Sequence, residues 1–87
     1  MFRKEATLSN ETGLHARPAS MLVKEAVKYG CDIKIIKGEK QYNAKSIMSI
    51  LSMGAVKGDA LIIQTEGPDA ERAALELADF IENKIRD

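Results

Sequence analysis

Gly13-Leu14-His15-Ala16-Arg17-Pro18-Ala19 carries the only histidine of an 87-residue chain and places it where a helix must begin. Downstream, Ala19, Leu22, Val23, Ala26 and Val27 follow the i, i+3, i+4, i+7, i+8 spacing of an amphipathic helix. The spacing predicts a helix from about Ala16 to Tyr29, with Gly30 ending it in a left-handed turn. Pro18 lacks a backbone donor, so it belongs in the first turn, where donors have no intrahelical partner. His15 therefore falls at the helix N-terminus, beside free N–H groups and the positive end of the macrodipole. Arg17 adds a fixed charge and a planar fork of donors two residues away. A lone histidine at such a place is commonly a cap or a surface residue. Next to an anion-binding helix end, it is also a nucleophile equipped to hold a phosphoryl group.

Size and composition narrow the function. The length fits a single domain spanning residues 1–87. Thirteen basic and thirteen acidic residues cancel, whereas nucleic-acid binding ordinarily needs a basic excess. No apolar run approaches the roughly 20 residues that span a bilayer, and no hydrophobic signal core follows Met1-Phe2-Arg3-Lys4-Glu5. Cys31 has no partner for an internal disulfide, which fits a reducing compartment. One His and one Cys do not make a conventional zinc site. The expectation is a cytoplasmic chain without metal or cofactor.

Phe2, Ala6 and Leu8 share one parity, predicting a half-buried strand in which Lys4 breaks the apolar side and marks an edge. Asn10-Glu11-Thr12-Gly13 is a polar loop leading to His15. Ile33, Ile35 and Ile36 predict a second strand, and Lys37-Gly38-Glu39-Lys40 a hairpin turn into a short third strand around Gln41 to Asn43. Ala60 to Thr65 is apolar on both parities, as a central strand is. Gly67-Pro68-Asp69 starts a last helix with Asp69 as N-cap and Glu71, Lys84 and Arg86 complementing its dipole. Ala70, Ala74, Leu77, Ile81 and Ile85 form its buried stripe. Strand, helix, strand, strand, helix, strand, helix can place all helices on one face of a four-stranded sheet. Periodicity alone does not separate this from a ferredoxin-like strand order.

Ser46 precedes Ile47-Met48-Ser49-Ile50-Leu51-Ser52-Met53, and Gly54 closes that short helix. Ser46 is first an N-cap, and a phosphate on it would meet a helix N-terminus. At about 100° per residue, Ile47, Met48 and Leu51 fall within one arc while Ile50 and Met53 point elsewhere. One side can pack on the sheet; the other forms an exposed apolar patch suited to partners, with a methionine that repacks easily.

Gly13, His15, Ala16, Arg17, Pro18 and Ala19, then Lys45, Ser46, Ile47 and Met48, then Gly54, Lys57 and Gly58 together resemble the HPr family, the histidine-containing phosphocarriers of the sugar phosphotransferase system. The resemblance spans nearly the whole chain. It implies an α+β open-faced sandwich: a four-stranded antiparallel sheet with three helices on one face, the first strand beside the fourth and the fourth beside the second. It implies that phosphorylated enzyme I passes its phosphoryl group to His15, which hands it to IIA domains of sugar permeases. Arg17 and the Ala16 N–H would then stabilise the phosphate. Thr12 and Ser20 lie close enough to contribute, and Ile47, Met48 and Leu51 would dock partners. In some bacteria an ATP-dependent HPr kinase/phosphorylase modifies this serine, here Ser46, and a catabolite-control transcription regulator binds the product.

The resemblance implies a carrier that depends on partner enzymes, not an enzyme itself. The sequence gives no sign of an obligate oligomer, and a carrier sharing one surface among several partners is expected to be a monomer. His15 separates it from regulatory paralogues that keep only the serine, although a purely regulatory module could act through Ser46 and the Ile47/Met48/Leu51 patch. An acylphosphatase-like hydrolase would use Gly13, Arg17 and Asn43, but that scheme gives His15 no task.

Overall fold

The computed structural model describes residues 1–87. Its elements are β1 (Phe2–Thr7), α1 (Ala16–Ala26), β2 (Asp32–Lys37), β3 (Lys40–Asn43), α2 (Ile47–Met53), β4 (Ala60–Glu66) and α3 (Ala70–Asp79). A π-helical turn, Phe80–Lys84, prolongs α3. The strands make one antiparallel sheet in the order β1-β4-β2-β3, the open-faced arrangement that periodicity leaves undecided.

Period-2 alternation sets the core. Ala6 pairs with Leu61, Ile35 with Ile63 and Ile33 with Thr65, and all six side chains are buried on one face. Leu22 and Ala26 of α1, Ile50 and Met53 of α2, and Ala73, Ala74 and Leu77 of α3 close over that face in one hydrophobic cluster. Burying a Leu or Ile side chain contributes roughly 1.5–3 kcal/mol, so this face drives the fold. The other face is mostly polar, with Arg3 Nε donating to Gln64 Oε1 at 2.8 Å. Ile36 and Ile62 pair across it, which explains why β4 is apolar on both parities. No helix is long and apolar enough to cross a membrane.

Helix ends follow their caps. Ser46 Oγ accepts from the Ser49 N–H, and Gly54 ends α2 with φ 64°, both as the sequence predicts. Three expectations need correction. α1 stops at Ala26, Val27 is 54% exposed, and Gly30 is not left-handed. The last turn tightens through Lys28 N–H to Glu25 O and Tyr29 N–H to Ala26 O. Lys45 Nζ then takes the Tyr29 carbonyl at 2.6 Å, so the helix end has its donor without a glycine cap. Asp69 precedes α3 but makes no side-chain cap bond; its backbone is left-handed at φ 60° and its carboxylate pairs with Arg72. The α3 stripe is also wider than predicted: Ala73 and Ala78 are buried with Ala74, Leu77, Ile81 and Ile85, while Ala70 is only partly covered. Small side chains there let α3 lie close to β1 and β4.

Candidate functional site

Two loops fix the backbone on which His15 stands. Gly13 has φ 67°, and a Cβ at this position would lie 2.4 Å from Ala55 O and 2.8 Å from Val56 Cα. Only glycine permits that approach. The next residue locks it: Leu14 N–H donates to Ala55 O at 3.0 Å, and the Leu14 side chain is buried. Asn10, itself buried, donates from Nδ2 to Gly13 O at 2.8 Å and to Asp87 Oδ1 at 2.8 Å. Asp87 further accepts from the Glu11 N–H, the Thr12 N–H and the Thr12 hydroxyl. The Thr12 hydroxyl, then Thr12 N–H and the Asn10 amide, hold the Asp87 carboxyl down at a pKa of about 2.

On this support His15 is the N-cap of α1, with extended backbone and no side-chain cap bond, so its ring is exposed and uncommitted. The first helical bond runs from Ala19 N–H to His15 O at 2.8 Å. Pro18 has no N–H, and neither the Ala16 nor the Arg17 N–H has a protein acceptor. Two donors and the positive helix end therefore stand open next to the imidazole. Arg17 is exposed and joins no ion pair, and the first turn holds no acid to offset it. Such an arrangement attracts an anion without enclosing it.

The α2 surface continues this region. Ile50 and Met53 are in the core, whereas Ile47 and Leu51 are over a third exposed and Met48 is 74% exposed. Leu51, Gly54, Ala55 and Val56 share one shallow depression with Leu14, His15 and Ala16. An apolar surface thus borders the imidazole directly. Val56 escaped the sequence reading although it is exposed; a lone valine in a turn gives no periodic signal. Ser20 is partly covered, and its hydroxyl makes no hydrogen bond to protein. The Thr12 hydroxyl, expected near the phosphate, already donates to Asp87 at 2.7 Å. Ser46 is partly exposed and caps α2. Asn43 Oδ1 accepts from Lys45 N–H at 2.9 Å, a local turn bond.

A protein-family model described as "PTS HPr component phosphorylation site" matches residues 2–83. The chain belongs to the HPr family. A phosphocarrier protein HPr from Mycoplasma capricolum is 47% identical over 73 residues, 84% of this chain and 82% of the relative. An HPr-like protein Crh from Halalkalibacterium halodurans is 39% identical over 84 residues, 97% of this chain and 100% of the relative. The crystal structure of HPr-C-His from Thermoanaerobacter tengcongensis matches with a TM-score of 0.92 at 42% identity, covering 98% of this chain and 96% of that one. HPr is a phosphocarrier rather than a catalyst as such.

Proposed function

We propose that this chain, acting as one domain and as a monomer in the cytoplasm, accepts a phosphoryl group from phosphorylated enzyme I on His15 Nδ1 and passes it to IIA domains. The observation that carries the reading is the exposed His15 ring beside the two free N–H groups of Ala16 and Arg17. Nδ1 gives its lone pair to phosphorus as the donor's N–P bond breaks and returns its pair to the donor ring. No proton has to move, so no general base is required. The Ala16 and Arg17 N–H groups meet the phosphate oxygens, and the Arg17 guanidinium supplies a movable counter-charge. Holding the phosphate open to solvent keeps it transferable. Ile47, Met48 and Leu51 dock both partners, with Thr12 and Ser20 at the margin. Transfer between two held nitrogens then depends mainly on position.

A relay assay tests this. With phosphoenolpyruvate, enzyme I and a IIA domain, label should reach the IIA domain only when this chain is present. Met48→Asp, at an exposed position, should raise the KM for both legs about tenfold and leave the folding midpoint in place. Label reaching the IIA domain equally well without the chain would contradict the carrier role.

A second reading rests on Ser46, whose hydroxyl sits at the start of α2 and is partly exposed, and on the likeness to Crh. A kinase using ATP would leave an acid-stable phosphoester on Ser46 that a catabolite-control regulator reads. Acid-stable label that disappears in Ser46→Ala marks that branch.

A further inference from the structure

Four hydrogen bonds from the loop before His15 converge on one carboxylate far away in sequence. Asp87 Oδ1 accepts from Asn10 Nδ2 at 2.8 Å, from Thr12 N–H at 3.0 Å and from Thr12 Oγ1 at 2.7 Å, and Oδ2 accepts from Glu11 N–H at 3.2 Å. Asn10 relays the hold, because the same amide donates to Gly13 O two residues before His15. Its own Oδ1 is buried with no partner. A buried amide is normally satisfied at both ends; here the geometry of the two acceptors outweighs that cost and fixes which way the amide points.

We propose that Asp87 is a positioning residue for phosphoryl transfer: its carboxylate clamps Asn10, Glu11 and Thr12 and thereby sets where the His15 imidazole stands. The proposal rests on His15 being the phosphoryl acceptor. Asp87 does not touch the ring. It acts through the Asn10–Gly13 link, next to the Leu14 N–H bond to Ala55 O that anchors the same stretch before His15. Charge-assisted bonds to a carboxylate are about twice as strong as neutral ones, so an amide cannot replace it: in Asp87→Asn the Nδ2 would face the Glu11 N–H donor to donor. Near-attack geometry is steep in distance, and about 1 Å of displacement can cost about 100-fold in rate.

The clamp has its own pH signature. The groups facing the Asp87 carboxylate are the donors of Asn10, Glu11 and Thr12, which hold its pKa near 2, so the bonds are complete at neutral pH and are lost only as pH falls through that value. The Thr12 amide resonance should therefore titrate with a midpoint of about 2.

The test uses the full chain as the varied substrate of enzyme I, with Asp87→Asn and Asp87→Ala compared with the parent chain and His15→Ala. Asp87 is exposed, so both variants should fold. Each should lower kcat about tenfold or more at near-constant KM, with faster hydrogen exchange at the Glu11 and Thr12 amides and unchanged exchange in β4 and α1. A raised KM with unchanged kcat, a loss proportional to the unfolded fraction, or parent-like rates would overturn the positioning role while leaving the carrier function intact. Absence of label on the parent chain would instead remove the carrier function, and this proposal with it.

Discussion

A His15→Ala chain should take up no acid-labile phosphoryl label from enzyme I, while its folding midpoint stays within about 0.5 kcal/mol of the parent. The loss should be complete because the sequence holds no second histidine. Ser46 would give an acid-stable phosphoester, distinguishable by its survival in acid. The small stability change follows from the cap itself. An Ncap side chain that bonds a helix N–H is worth about 1 kcal/mol, but His15 makes no such bond. Removing the ring therefore deletes chemistry and very little structure. Parallel measurements of label uptake and urea unfolding check both halves. Residual acid-labile label in the variant would place the acceptor elsewhere in the chain.

Gly13→Ala should have the largest effect on stability, about 3 kcal/mol or more. Two costs add. The backbone at φ 67° is left-handed, which disfavours any Cβ by roughly 1–2 kcal/mol. The new methyl would also sit 2.4 Å from Ala55 O and 2.8 Å from Val56 Cα, both main-chain atoms that cannot swing away. Gly38→Ala is the matched control: its φ is 62°, yet nothing lies within 4 Å of the added Cβ. It should cost only the backbone share. For a domain of this size 1 kcal/mol moves Tm by about 4–8 °C, so the two variants should separate clearly in thermal and urea unfolding. Equal costs would mean that the Gly13–Ala55 contact is absent. Since the same contact seats Leu14 and the wall of the His15 depression, surviving folded Gly13→Ala should also be a poor phosphoryl acceptor.

What could be read from the sequence was local. The parity of Ala6, Leu8, Ile33 and Ile35, the Ser46 cap, the Gly54 stop and the split of α2 into Ile50/Met53 and Ile47/Met48/Leu51 all depend on residues within a turn or two of one another. Each has its observed counterpart in burial or backbone angle. The strand order came only through family resemblance, since pairing β4 between β1 and β2 is a long-range choice that periodicity does not encode. Asp69 and Gly30 misled for a related reason. A residue type licenses a cap, but φ and the nearest partner decide it, and Arg72 takes the Asp69 carboxylate while Lys45 takes the Tyr29 carbonyl. Around His15, the ring, Arg17 and the open helix end were legible as a motif. The Asp87 clamp and Val56 were not, because neither belongs to a periodic pattern and both reach the site only through the fold.

The most direct test is phosphorus and nitrogen NMR on chain carrying 15N-histidine, after incubation with phosphoenolpyruvate and enzyme I. The account predicts one phosphoramidate signal coupled to His15 Nδ1, lost in acid and lost again when a IIA domain is added. No covalent phosphorus on the ring, or phosphorus found only as an acid-stable ester on a hydroxyl, would contradict it.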